Sequence, residues 1–343
     1  MTLRITYGPW GETLDEMVAA ARAAESAGAE VLWVPELHRS ATISAAAIAA
    51  NTEYAAVGTA IALAFTRSPM VTALEAIDLD EMANGRFILG LGTGVQRLNE
   101  LWHNAQWGKP VGHMRETVRN IRTFIEKSST GEVIDLPGEY EPMQIRGYQR
   151  PFIQTRTNIP IYLGAMGSTM TKLVGEIGDG WISHELCSPK YLSEQLIPWL
   201  KEGMEREKRP SESVDVVVSA LCAVDSNGAR ARRWAAGTVG FYASVKTYEG
   251  FFGFHDLAAE QATVIEAFRS GVAADHLGDH VPDHMVDALT IAGTPGQVIE
   301  RISDYDGIAN TIKITPPTHG LSATDTRASQ EKILKMIPEL TGH

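Results

Sequence analysis

Short apolar strands alternate with amphipathic helices along almost the whole sequence, and this alternation restricts the fold more than any other feature. Eight segments have the apolar, β-branched composition of strands: 3–8, 30–34, 55–63, 86–94, 159–164, 180–183, 214–221 and 311–315. Segments such as EVLWV at 30–34 have almost no polar residue, which is typical of parallel strands buried on both faces. Helical stretches separate them, as parallel strands require. The pattern predicts a single (β/α)₈ TIM barrel of class α/β, with a doubly wound open sheet as the alternative.

Two segments interrupt this repeat. Residues 128–158 have turn signals between short β-prone runs, which predicts a hairpin insertion, and residues 247–310 predict a helical insertion before the last strand. Lids and active sites of such barrels lie at the carboxyl ends of the strands, and we expect both insertions there. We predict one domain over residues 1–343.

Composition narrows the class of partner. The chain has 30 Lys and Arg against 42 Asp and Glu, a net charge of −12 that disfavours general binding to nucleic acids or membrane surfaces. Two cysteines, Cys187 and Cys222, fit a reducing compartment, and no apolar run reaches the roughly 20 residues of a membrane span. We therefore expect a cytoplasmic protein that acts on a small molecule, without a nucleic-acid or membrane partner. The expected assembly is a homodimer.

Two glycine-rich turns follow predicted strands. GLGTG at 90–94 lacks the full dinucleotide fingerprint, and it is either a tight turn or a place where a ligand approaches the backbone. The turn in IYLGAMGSTM places Gly167, Ser168 and Thr169 at the start of a helix. Free N–H groups and hydroxyls at such a position favour an anion site, whereas the alternative is that Ser168 only caps the helix.

Polar side chains near the second and third strands are candidates for chemistry. Glu36 and His38 lie just beyond the second strand, where they could position a proton or polarise a carbonyl group, or form part of a solvated loop. Arg67 follows the third strand and could pair with an anion or be solvated. His276, His280 and His284 are spaced by four residues, but Pro282 interrupts the helix and no zincin glutamate is present, so we expect no metal site.

Four stretches together carry a family resemblance: VGTAIALAFTRSP at 57–69, DEMANGRFILGLGTG at 80–94, IPIYLGAMGSTMTKLVGEIGDGWI at 159–182, and IAGTPGQVIERI at 291–302. In this order the chain resembles the luciferase-like superfamily of flavin and deazaflavin oxidoreductases. It is most similar to coenzyme F420-dependent members, such as methylenetetrahydromethanopterin reductase and F420-dependent glucose-6-phosphate dehydrogenase. The resemblance implies a (β/α)₈ barrel and hydride transfer to or from C5 of F420. The alternatives are an FMN-dependent monooxygenase and a barrel that binds without catalysis.

The resemblance also implies individual site residues. A non-prolyl cis peptide against the deazaflavin ring would lie at Ala60-Ile61, and Glu36 would contact the same ring. Asn99 matches a family asparagine if one inserted residue is allowed. The remaining cofactor contacts implied are Leu63, Thr93 and Gly94 near the ring, and Met166, Gly167, Ser168, Thr169 and Met170 at the phosphates.

Three departures from the family pattern concern the substrate. Leu37 and Val95 replace the acid–base pair of the sugar-phosphate dehydrogenase, and Cys187 replaces its phosphate-binding lysine. Glucose 6-phosphate is therefore not the expected substrate. Apolar side chains, which are either pocket or core, favour an organic C=C, C=N or C=O bond: Leu63, Val95, Trp10, Trp107 and Trp181.

Overall fold

The computed structural model describes residues 3–342, and these contain every predicted strand. The strands are β1 (Arg4–Tyr7), β2 (Val31–Val34), β3 (Ala56–Thr59), β4 (Ala62–Leu63), β5 (Phe87–Gly92), β6 (Ile134–Leu136), β7 (Met143–Ile145), β8 (Ile161–Gly164), β9 (Gly180–Ile182), β10 (Asp215–Val224), β11 (Ile291–Gly293) and β12 (Thr311–Thr315). Since most bounds of the eight predicted strands agree with the structure within two residues, the apolar runs by themselves identify those eight segments.

Helices follow most of the strands. The α-helices are α1 (Leu14–Ser26), α2 (Ala41–Ala49), α3 (Pro69–Met82), α4 (Pro110–Lys127), α5 (Ser168–Ile177), α6 (Pro189–Tyr191), α7 (Ile197–Arg206), α8 (Gly228–Ala243), α9 (Glu249–Phe254), α10 (Ala258–Arg269), α11 (Asp283–Leu289), α12 (Pro295–Ser303) and α13 (Ala323–Thr341). Residues Leu98–Trp102 and Leu192–Leu196 form π-helical turns. Side-chain hydroxyls cap the first turn of several helices. Before α1, the Thr13 hydroxyl accepts a hydrogen bond from the Glu16 N–H at 3.1 Å.

One compact unit comprises Val31–Ile182 and Leu196–Val216. Its parallel strands lie in the order β2-β3-β5-β8-β9, and β4 also pairs with β5. Trp33, Phe87 and Trp181 are fully buried in it. The predicted hairpin is present as the antiparallel pair β6 and β7. We call this part of the chain the β2–β9 unit.

The second compact unit comprises Met1–Glu30, Ser183–Gln195 and Val217–His343, and we call it the β10–β12 unit. Its strands lie in the order β11-β10-β12-β1 and all pairs are parallel. Strand β11 was not predicted within the 247–310 insertion; there Ile291 pairs with Cys222 and Ala292 with Ala223. Of its three residues only Ile291 is a large apolar residue, and the segment was interpreted as helical, so only the pairing identifies this strand. That residues 1–343 form one domain stays a prediction. No helix within residues 3–342 is long and apolar enough to cross a membrane.

Candidate active site

The third predicted strand is interrupted at its carboxyl half. Strands β3 and β4 are separated by residues 60 and 61, and the Ala60-Ile61 peptide bond is cis, as the family resemblance implied. The Ala60 N–H donates to the Val34 carbonyl at 2.8 Å, and the Ile61 carbonyl accepts the Glu36 N–H at 3.0 Å. These bonds attach the interruption to the end of β2, next to Glu36.

The glycines of GLGTG pack against this interruption. A Cβ at Gly90 would lie 1.7 Å from the Thr59 carbonyl oxygen, and one at Gly92 would lie 2.7 Å from Ile61 Cγ1. At Gly94, where φ is +63°, a Cβ would lie 2.7 Å from Leu63 Cδ2. Contacts within the chain therefore explain these glycines, because no side chain fits at these positions.

The turn after β5 is held by Asn99, whose side chain is fully buried. Its Nδ2 donates to the Thr93 carbonyl at 2.7 Å and to the Val95 carbonyl at 3.0 Å. Its Oδ1 is buried and has no hydrogen-bond partner among residues 3–342. Asn99 thus positions Thr93 and Gly94 through their backbone, while its carbonyl oxygen leaves an acceptor unused.

Glu36 is held in a buried ion pair. Arg67 donates from Nη2 to Oε1 and from Nη1 to Oε2, the second at 2.9 Å, and the Leu63 N–H donates to Oε2 at 2.8 Å. Arg67 also lies 3.5 Å from Glu75. Burial raises the pKa of Glu36, but the bonds from Arg67 and Leu63 together outweigh burial, and the pKa is lowered below 4.5. Glu36 is therefore a carboxylate at neutral pH, which makes it a poor proton donor.

His38 is not brought to this carboxylate. Its side chain is exposed, and no hydrogen bond joins it to Glu36 in the part of the chain that the structure describes. The sequence gave one sign of this pairing, because Glu36 and Arg67 follow the second and third predicted strands. It did not identify Glu36 as the partner of Arg67.

The turn after β8 leaves a helix N-terminus open. Gly167 is the N-cap of α5 and has no side chain that could cap the helix, so the alternative that Ser168 caps it is wrong: Ser168 is the first helical residue. A Cβ on Gly167 would have no atom within 4 Å. The hydroxyl oxygen of Thr171 in the same turn is buried without a partner among residues 3–342. The first N–H groups of α5 are therefore available to an anion.

The apolar candidates divide into core and surface. Trp181 is fully buried, and its Nε1 donates to the Ala165 carbonyl at 3.0 Å, so it is a core residue. Val95 is 57% exposed. Cys187 and Cys222 are buried, which raises the pKa of each thiol to about 12 and leaves them unreactive core residues.

Sequence reasoning missed His113. Its ring stacks on Phe65, with centroids 3.8 Å apart, and Nε2 lies 3.0 Å from Glu141 Oε1 in the hairpin segment. Its other nitrogen lies 3.1 Å from the Trp107 carbonyl oxygen. Both nitrogens have partners, so His113 fixes the hairpin segment beside Phe65. A histidine within an amphipathic helix gave no sequence signal for this role.

The chain is similar to known proteins over most of its length. The family profile described as luciferase-like monooxygenase matches residues 2–310. The 5,10-methylenetetrahydromethanopterin reductase of Methanolobus tindarius is 27% identical over 347 residues, covering 98% of both chains. The F420-dependent glucose-6-phosphate dehydrogenase of Nakamurella multipartita is 31% identical over 196 residues, 55% of this chain and 56% of that protein.

The fold comparison covers almost the whole chain. The coenzyme F420-dependent tetrahydromethanopterin reductase of Methanopyrus kandleri superposes with a TM-score of 0.83 at 20% identity, over 98% of this chain and 97% of that one. The predicted fold class is confirmed: the chain has the luciferase-like (β/α)₈ barrel fold. Because the luciferase-like monooxygenase profile matches residues 2–310, the chain belongs to this family of oxidoreductases.

Proposed function

We propose that this protein is a coenzyme F420-dependent oxidoreductase that transfers a hydride between the deazaflavin and a small organic substrate with a C=C, C=N or C=O bond. The observation that carries the proposal is the open N-terminus of α5 in the same unit as the interrupted strand at Ala60-Ile61. Two relatives named as F420-dependent support this choice of cofactor.

The residues of the β2–β9 unit fit such a cofactor. Gly167, Ser168 and Thr169 offer N–H groups and hydroxyls to a phosphate, and the space over Gly167 is free of protein atoms. Ala60, Ile61, Leu63, Thr93 and Gly94 would hold the ring, with Met166 and Met170 beside the phosphates. When bound, the deazaflavin supplies or accepts a hydride at C5.

Glu36 acts by position in this proposal. Its carboxylate is fixed by Arg67 and by the Leu63 N–H, so it holds the backbone on which the ring would rest. Because its pKa is lowered, Glu36 is already deprotonated near neutral pH and has no proton to donate. Any proton that the reaction needs comes from another group or from water, and His38 has no structural link to Glu36 that would relay one.

In this proposal we expect the substrate to meet apolar side chains. Leu37 and Val95, at the two positions where the sugar-phosphate dehydrogenase has its acid and base, are 53% and 57% exposed. Contact with an apolar ligand removes exposed aliphatic side chains from water, which is favourable. A sugar phosphate would instead have to give up its own hydration against the same side chains. This supports a substrate that is largely hydrocarbon around its reducible bond.

An equilibrium titration tests the choice of cofactor. Quenching of protein fluorescence is measured with F420 and, separately, with FMN, and then reduced F420 is supplied under anoxic conditions with a panel of alkenes, imines and ketones. We expect tighter binding of F420 and oxygen-independent oxidation of the reduced cofactor. Tighter binding of FMN with turnover only in oxygen would instead identify an FMN-dependent monooxygenase. Binding without turnover of any panel member would favour the non-catalytic barrel.

A further inference from the structure

A second carboxylate lies against Arg67, on the side of the guanidinium that Glu36 does not use. Both terminal nitrogens of Arg67 donate to Glu36. The remaining nitrogen, Nε, lies 3.5 Å from Oε2 of Glu75, which belongs to α3. Two carboxylates therefore share one guanidinium, and when both are ionised the group carries an excess of negative charge.

These three side chains are largely removed from water. The exposed fractions are 22% for Arg67, 10% for Glu36 and 32% for Glu75. Oε2 of Glu75 is itself buried and has no hydrogen-bond partner among residues 3–342. The cavity that Arg67 and Glu75 line measures about 10 Å³, which is room for one water molecule at most. The excess negative charge is therefore poorly solvated.

Hydrogen bonds decide which of the two carboxylates takes up a proton. Both oxygens of Glu36 accept from Arg67, and Oε2 also accepts the Leu63 N–H at 2.8 Å. A proton on Glu36 would weaken these charge-assisted bonds. Oε2 of Glu75 accepts no hydrogen bond, so a proton there disrupts none and removes the repulsion between the carboxylates. We therefore expect the proton at Glu75.

The electrostatic surroundings of Glu75 agree with this assignment. Burial raises the pKa of Glu75, the charge of Arg67 opposes this effect, and the charge of Glu36 adds to it, so that the pKa is raised above 4.5. Among residues 3–342 no other charged group acts on Glu75. The residues that α2, β4 and β5 contribute to the cavity are uncharged, and α4, which also packs on α3, adds no charge that acts on Glu75.

We propose that Glu75 is a positioning residue of the proposed active site, and that its proton controls how firmly Arg67 holds Glu36. With Glu75 neutral, Glu36 has the whole charge of Arg67 and keeps its bond to the Leu63 N–H in β4. With Glu75 ionised, its carboxylate attracts Arg67 and repels Glu36, which loosens this attachment. The inference rests on the proposed function, because the Leu63 backbone is where the F420 ring would lie.

Urea unfolding of the full chain without cofactor tests the three-residue group itself. Because the pKa of Glu75 is raised in the folded chain, its ionisation destabilises the fold only above the unfolded pKa near 4.5. Glu75→Gln should match the unaltered chain at pH 4 and have an unfolding constant about two- to fivefold smaller at pH 8. In a Glu36→Gln background this gain should disappear, because Glu75 is then the only carboxylate on Arg67.

Glu81→Gln is the matched control, since Glu81 is exposed on the same helix, and its effect should be the same in both backgrounds. Equal gains from Glu75→Gln in the two backgrounds overturn the proposal, as does the absence of a gain at pH 8. If Glu75→Gln does not fold, Glu75→Ala takes its place in the same comparison.

Titration with F420 tests the positioning role. The dissociation constant of the unaltered chain is divided by that of Glu75→Gln at the same pH, so that any ionisation of F420 itself cancels. We expect this ratio to rise about threefold between pH 5 and pH 8, and a ratio independent of pH overturns the positioning role. If neither chain binds F420, the proposed function is wrong, while the unfolding comparison still decides whether Glu75 controls the pairing of Arg67 with Glu36.

Discussion

Arg67 binds both carboxylate oxygens of Glu36, across 31 residues of sequence. Glu36 lies two residues beyond β2, and Arg67 lies four residues beyond β4, the short strand that follows β3, the parallel neighbour of β2. The pair is mostly buried, with side-chain exposures of 22% for Arg67 and 10% for Glu36. A glutamate held in this way is a fixed anion, so it organises the backbone at Leu63 more readily than it exchanges protons.

Replacing Glu36 distinguishes orientation from proton transfer. Glu36→Gln keeps the size but removes the charge, and Arg67 loses its bidentate partner. We expect F420 affinity and turnover to fall together, each by about tenfold, because the bonds of a charged group to Arg67 and Leu63 are weakened. Parallel titration and steady-state assays measure both. A fall in turnover of about 10²–10⁴ with unchanged affinity would instead assign proton transfer to Glu36. His38→Ala is the control and should change neither.

The same ion pair predicts a pH dependence of stability. The pKa of Glu36 is lowered in the folded chain, so its contribution is complete above the unfolded pKa near 4.5 and is lost as pH falls through the folded value. Between pH 7 and pH 5, Glu36→Gln should be less stable than the unaltered chain by about 1–3 kcal/mol. The difference should shrink below pH 4.5. Urea unfolding at several pH values measures it, and a difference that does not change with pH would contradict the assignment.

Gly167→Asp tests the anion site at α5. The position has free space and a φ of −85°, so the substitution introduces charge without strain. Repulsion of a phosphate should weaken F420 binding by about 5- to 150-fold, equivalent to about 1–3 kcal/mol in a partly screened site. Gly167→Ala, which adds only a methyl group, is the matched control and should bind nearly normally. Equal affinities for the two variants would place the phosphates elsewhere.

Gly92→Ala tests the packing of the interrupted strand. The added methyl group would lie 2.7 Å from Ile61 Cγ1, which forces the side chain or the backbone to move. We expect a loss of about 1–3 kcal/mol in the free energy of unfolding. The loss should be smaller when the substitution is made in an Ile61→Ala background, since the clashing atoms are gone. A double-mutant cycle by denaturant unfolding measures this coupling, and strictly additive effects would contradict the contact.

Asn99→Asp tests the turn after β5. A carboxylate would replace the amide that donates to the Thr93 and Val95 carbonyls, leaving both acceptors facing a negative charge. We expect destabilisation of about 2–4 kcal/mol and faster hydrogen exchange in the Leu98–Trp102 turn. Asn51→Asp is the control, because the Asn51 amide makes a similar bond to Ala47 but is exposed. Equal losses in the two variants would contradict a special role for Asn99.

Much of the fold follows from the sequence because its signals are local. A run such as VLWV at Val31–Val34 is apolar at every position, and hydroxyl caps such as Thr13 mark where helices begin. The combined motifs also located the cis peptide at Ala60-Ile61 and the turn at Gly167. Strand β11, with the sequence IAG, has only one large apolar residue and so gave no local strand signal.

The tertiary structure decided which side chains meet. Sequence order gives no distance between Glu36 and Arg67, and so it left both a proton-transfer role and a solvated loop open. It also gave no sign that the ring of His113 would stack on Phe65 and contact Glu141 of the hairpin segment. Local propensity depends on a few adjacent residues, whereas ion pairs and unused donors depend on which strand ends are neighbours. The sequence by itself therefore determined the elements, and only the packing of those elements determined the charge and the hydrogen bonding of each candidate group.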